Sequence, residues 1–152
     1  MANQSNVLHE NNLVGGVASV AYSGTEIDGF NYQNLIDYKD FSTFKPQVSA
    51  TTTLDFTLGS GGQTIDTICV YAAKVGDTGL DINLYYESAP STYTLLKALT
   101  DVDGDLTWDD FTSVTVSGTR KIRLEFISDA TQYEIRQISV GPKTTMQRGQ
   151  YV

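Results

Sequence analysis

Asp101-Val102-Asp103-Gly104-Asp105 is the stretch of this chain whose residue types and spacing come closest to a chemical device. Aspartates at alternate positions around a glycine turn can aim several carboxylate oxygens at one calcium ion. The run departs from the twelve-residue helix–loop–helix calcium loop, because its twelfth position is Thr112 where a bidentate glutamate is required. Asp109 and Asp110 would join such a site only through a different loop path. A solvated acidic turn is the other reading of Asp101, Asp103 and Asp105, and calcium is the one cofactor left open.

Catalytic devices lack their parts. His9 is the only histidine and lies in a polar stretch. A Ser-His-Asp or Cys-His arrangement would rest on it alone, and no nucleophile-elbow motif accompanies it. Metal sites built from His and Cys are excluded by number. The single cysteine, Cys69, allows no intrachain disulfide. It sits in the apolar run Ile68-Cys69-Val70-Tyr71 with no cationic neighbourhood, so it reads as a buried small hydrophobe rather than a reactive thiol. Two-carboxylate glycoside hydrolysis needs a raised-pKa acid facing a second carboxylate across a cleft. The acidic pairs here fall in turns that read as solvated. The chain is expected not to be an enzyme.

Binding chemistry is better represented. Aromatic residues make up 11% of the chain, with nine tyrosines. Phe30, Tyr32, Tyr38, Phe41 and Phe44 crowd into one loop-like stretch. Such rings can stack on the apolar face of a pyranose, or they can plug one end of a domain as large apolar side chains usually do. Tyr32, Tyr38 and Phe44 are the candidate ligand or partner contacts, with Trp108 beside the acidic run.

Charge narrows the partners. Ten Lys and Arg against eighteen Asp and Glu leave a net charge of −8, without the basic footprint that neutralises phosphates. Nucleic acid and anionic membrane surfaces are therefore disfavoured. No stretch approaches the roughly 18 apolar residues of a membrane helix. Met1–Asn6 carries no positive region and no apolar run follows it, so no secretory leader is read and synthesis in a cytoplasm is expected.

The elements that must position these residues alternate with period two. Thr51–Leu58 sets Thr52, Leu54, Phe56 and Leu58 on one face. Leu80–Tyr86 does the same with Leu80, Ile82, Leu84 and Tyr86, and Arg120–Phe126 with Ile122, Leu124 and Phe126. Val114 and Val116 form a shorter version. Ile65–Ala73 is more continuously apolar, as a strand covered on both faces should be. Tyr133–Val140 slips its phase between Ile135 and Ile138, as a β-bulge would. Val17–Tyr22 and Tyr93–Leu96 are weaker strands. Glycine-rich punctuation at Gly59–Gly62, Gly76–Gly79, Asp103–Asp105 and Ser117–Gly118 separates them. No amphipathic helix is predicted beyond one turn within Asn34–Asp40. About eight short strands predict a single all-β domain, an antiparallel sandwich or jelly roll, with a core over Val17–Gly141. Polar arms at 1–12 and 143–152 flank it.

Phe30-Asn31-Tyr32-Gln33-Asn34-Leu35-Ile36-Asp37, followed by Thr43-Phe44, resembles the early loop of discoidin-like domains, the coagulation factor 5/8 type C or galactose-binding-like jelly rolls. Thr53–Phe56, Ile65–Ile68, Ile82–Tyr85, Arg120–Phe126 and Glu134–Gly141 follow in the order of that family's strands. The resemblance implies that Asn34 and Asp37 pin the loop, that Leu35 enters the core, and that Phe44 stands where the family usually has Trp. The chain's close, Ile138-Ser139-Val140-Gly141 and Met146-Gln147-Arg148-Gly149-Gln150-Tyr151, is similar to that of small discoidin-like proteins of tailed-phage virions.

That resemblance implies a non-catalytic tail, baseplate or capsid accessory protein, placed in the virion as a homo-oligomer beside other virion proteins. Arg148 and Tyr151 of the C-terminal arm would then contact a neighbouring subunit. The alternative is a stand-alone carbohydrate-binding module whose sandwich-end loops hold a surface glycan.

Overall fold

The computed structural model describes residues 4–8, 11–37, 39, 42–47, 50–73, 80–127 and 134–147, with backbone alone at 4–8, 72–73 and 144–147. The described residues form ten strands: β1 Gln4–Leu8, β2 Val17–Tyr22, β3 Thr51–Leu58, β4 Gln63–Ala73, β5 Leu80–Ala89, β6 Thr92–Val102, β7 Gly104–Val116, β8 Lys121–Ile127, β9 Gln137–Gly141 and β10 Lys143–Gln147. One 3-10 turn, Tyr32–Leu35, interrupts the long β2–β3 connection.

Two antiparallel sheets face each other. One has the order β2-β3-β8-β5-β6 and the other β7-β4-β9. The period-two pattern sets the packing, because a half-buried strand must send alternate side chains to the core. Leu54 and Phe56 of β3, Ile82 and Leu84 of β5, and Ile122, Leu124 and Phe126 of β8 are all fully buried, opposite Ile68 and Val70 of β4. β4 lies between β7 and β9, and its run Thr67–Val70 is buried on both faces, as its continuous apolarity predicts.

Three readings of the sequence change. The bulge expected in Tyr133–Val140 is instead a break: Ile135 makes an isolated bridge to Phe44, and β9 starts only at Gln137. Tyr93–Leu96 is part of the eleven-residue β6, and Val114 and Val116 end the thirteen-residue β7. Gln4–Leu8 and Lys143–Gln147, expected as unpatterned arms, pair antiparallel as a separate two-stranded sheet.

Register decides where the loops go. Thr51 pairs with Ile127, Ile127 with Asp81, and Leu80 with Val102, so these residues lie at one end of the larger sheet. Ala73 pairs with Gly104 at one end of the smaller sheet. Asp103 alone joins Val102 to Gly104, so the two ends coincide. The chain turns this corner with Asp101 at φ 52° and Gly104 at φ 108°, the latter a conformation that suits only glycine. The long connections β2–β3, β4–β5 and β8–β9 all leave from this end. The opposite end carries short turns at Gly59–Gly62, Pro90–Ser91 and Ser117–Arg120.

Candidate functional site

Long loops on a rigid sandwich are where binding groups concentrate. At the loop end the β2–β3 connection is held in place by its own side chains. Gly29, at φ 79°, lets the chain turn so that Phe30 N–H reaches Ile27 O at 2.9 Å. Asn34 Nδ2 donates to Gly29 O at 3.1 Å and to Thr43 O at 2.7 Å, closing the loop on itself. Asp37 Oδ1 accepts the Lys39 N–H at 3.0 Å, and Leu35 is fully buried. Asn34 and Leu35 take the roles that the loop's resemblance implied, whereas the Asp37 bond is local, to a neighbour two residues on.

Phe44 is not a surface contact. It is 1% exposed, edge-on to Tyr22 at 5.6 Å and tilted against Phe126 at 5.4 Å. Its N–H and C=O both bond Ile135, at 2.8 and 2.9 Å. A ring so enclosed plugs the sandwich end and leaves no face for a ligand.

The same bridge builds a cluster that single residues did not announce. Antiparallel pairing of Phe44 with Ile135 sets Lys45 beside Glu134, and their side chains pair at 2.9 Å. The Lys45 ammonium also lies 4.0 Å from the centroid of the Phe30 ring, and Lys45 N–H bonds Phe30 O at 3.2 Å. Lys45 is mostly covered at 14% exposure, whereas Glu134 is 38% exposed. Asn31, beside Phe30, holds a buried Oδ1 with no hydrogen-bond partner among the described residues. An aromatic face, an ammonium with three donors and a carboxylate thus converge on one half-exposed patch. Tyr32 sits in the adjoining 3-10 turn and packs partly against the core.

Trp108 lies elsewhere. It pairs with Cys69 on the outer face of the smaller sheet, away from the Phe30 cluster, and its Nε1 donates to Asp110 Oδ1 at 3.2 Å. Asp110 also accepts from Thr67 Oγ1 at 3.2 Å and pairs with Lys143 Nζ. Lys143's hydrogen bond, above all, holds the Asp110 carboxyl below the usual carboxylate range. A lowered folded pKa adds stability above the ordinary value of about 4, lost as pH falls through the folded one. Asp110→Asn is therefore expected to destabilise slightly at neutral pH and not at all in strong acid, read from melts across pH. The effect is small because the group is exposed and screened.

Burial pushes the Cys69 thiol up to about 12, with Asp110 adding to the shift. Native protein should resist alkylation at neutral pH, and rapid modification would contradict that environment.

Asp101, Asp103 and Asp105 occupy the β6–β7 corner with exposed side chains. Asp101 N–H bonds Asp81 Oδ1 at 3.0 Å. Among the described residues, no group of three or more His, Cys, Asp or Glu is placed to hold a metal ion. Tyr38, Arg148, Tyr151, His9 and Phe41 lie outside the described residues.

No family model and no curated protein matches this sequence. Solved structures do match its fold. Chitosan-binding module 1 of a chitosanase/glucanase from Paenibacillus sp. IK-5 superposes with a TM-score of 0.65 at 16% identity, over 88% of this chain and 100% of that one. The Clostridium perfringens module CpGH89CBM32-5, solved with GalNAc-β-1,3-galactose, gives 0.65 at 13% identity, over 82% and 94%. A Ruminococcus gnavus GH29 fucosidase gives 0.69 at 19% identity over 89% of this chain, which spans only 27% of that enzyme. None of these likenesses points to a phage particle. The chain has the antiparallel β-sandwich fold shared by these carbohydrate-binding modules.

Proposed function

We propose that this domain is a non-catalytic carbohydrate-binding module whose glycan seats at the loop end against Phe30, Lys45 and Glu134. The observation that carries the reading is that cluster, standing where the long loops gather on a sandwich matched end to end by a chitosan-binding module. A pyranose presents an apolar face to the Phe30 ring, accepts hydrogen bonds from Lys45 and donates hydroxyl protons to Glu134. The net charge of −8 favours a neutral or amino-bearing sugar over an acidic one. Placement in a virion draws no support from the likenesses, and the described parts of the two termini pair with each other.

Calorimetric titration with chitosan oligomers and galactose-containing oligosaccharides tests the reading. Phe30→Ala and Glu134→Gln should each weaken binding about tenfold, with melting temperatures close to wild type. Equal binding by both variants would move the site elsewhere, and no binding to any glycan would remove the function.

A further inference from the structure

The outer face of the larger sheet carries a second polar array, remote from the Phe30 cluster. Register sets Asp55 of β3, Arg123 of β8, Tyr85 of β5 and Leu95 of β6 in one row across four strands. At about 4.8 Å per strand the row is roughly 14 Å long. Arg123 grips Asp55 with two bonds, Nε to Oδ1 at 2.6 Å and an Nη to Oδ2 at 2.8 Å. Its guanidinium lies 3.7 Å from the centroid of the Tyr93 ring. In the next row Glu125 Oε1 accepts from Asn83 Nδ2 at 3.0 Å and from Tyr85 OH at 3.3 Å. Leu95, paired with Tyr85, is 49% exposed.

We propose that this face is a second glycan-binding surface, taking an uncharged polysaccharide strand laid across β3, β8, β5 and β6. Three features select that occupant. A guanidinium has five N–H groups, of which Asp55 takes two, and Glu125 gathers both donors on one oxygen, so the array offers donors and acceptors in alternation. Hydroxyl-rich chains need both. Tyr85, Tyr93 and Leu95 supply the apolar floor that a sugar ring covers. The part-exposed charges of the face are mixed, with Asp55, Asp81 and Glu125 against Arg123 and Lys121, although the whole protein carries −8. Glu87 is buried and already bonded to two backbone N–H groups. Neither an anionic nor a strongly cationic polymer gains much there. The row's length suits a chain of several sugars, whereas the Phe30 cluster suits one or two.

The proposal shares the carbohydrate reading but not its site, and the test keeps them apart. The full chain is run in native gels containing galactomannan, xyloglucan, hydroxyethyl cellulose or soluble β-1,3-glucan, beside Leu95→Asp, Tyr93→Ala and Phe30→Ala. At least one polymer should retard the wild type. Leu95→Asp and Tyr93→Ala should each weaken that retardation about tenfold. Leu95 is half-exposed, so Leu95→Asp folds even if Tyr93→Ala disturbs the Arg123 stack, and a thermal melt checks this. Phe30→Ala reads the loop-end site separately, through its loss of oligosaccharide binding. Polymer retardation that survives Leu95→Asp overturns the proposal, as does no retardation of the wild type by any of the four. Sedimentation showing a wild-type dimer that Leu95→Asp dissolves would assign the face to a second copy of this chain instead.

Discussion

Phe44→Ala should lower the unfolding free energy by about 3–5 kcal/mol, the usual cost of deleting a buried phenylalanine ring. The ring is 1% exposed and touches both Tyr22 of β2 and Phe126 of β8, while its backbone bridges to Ile135 ahead of β9. It therefore ties the long β2–β3 connection to the larger sheet and to the segment that leads into β9. Removal opens a cavity that two strands and a loop would have to collapse together, and cores relax only partly. For a chain of this length each kcal/mol moves the melting temperature by about 2–4 °C, so a drop on the order of 10 °C is expected. Lys45 and Glu134 hang on the same bridge, so oligosaccharide binding should weaken in the folded fraction as well. Phe44→Leu restores most of the apolar volume and should recover most of both losses. A Phe44→Ala protein as stable as wild type that loses its ligand would return this ring to the surface.

Much of this architecture was legible along the chain. Where one face of a strand is buried, alternation names the core residues directly, and Leu54, Phe56, Ile82, Leu84, Ile122, Leu124 and Phe126 all lie inside. The signal fades where that condition fails. β6 lies at the edge of its sheet, and Thr92–Ala98, with no fully buried residue, alternates poorly, so only Tyr93–Leu96 stood out. Gly104, which reads as a turn, is the first residue of β7 as well as part of the corner between sheets. The candidate site was less legible still. Aromatic crowding singled out the loop that carries Phe30 and Lys45, but the contacts it named included Phe44, the ring that the core absorbs. Lys45 and Glu134 become partners only through the Phe44–Ile135 bridge, and periodicity reports which face a residue takes, not which distant strand it meets. Trp108, Asp110 and Lys143 converge for the same long-range reason. One local signal was available for Lys45: a cation directly after the plugging aromatic of a loop must point away from the core.

Glu87→Ala should cost about 2–4 kcal/mol, a large effect for a position on the outer face of a sheet. The carboxylate is 8% exposed and has taken over two backbone donors. Oε1 accepts the Ser91 N–H at 2.8 Å, inside the β5–β6 turn where Ser91 sits at φ 58°. Oε2 accepts the Lys121 N–H at 3.1 Å, where β8 begins. One side chain thus fastens a strained turn to the neighbouring strand at the short-loop end. A charged acceptor makes each bond worth more than a neutral pair, and removing it strands two partly buried N–H groups. The diagnostic variant is Glu87→Gln, which keeps the shape but offers one acceptor and one NH2. Whichever way the amide turns, a donor faces a donor, so Glu87→Gln should lose at least half of what Glu87→Ala loses. Packing alone would leave Glu87→Gln near wild type. Chemical denaturation of the three proteins decides it, and a Glu87→Gln midpoint indistinguishable from wild type would show that the two backbone bonds contribute nothing.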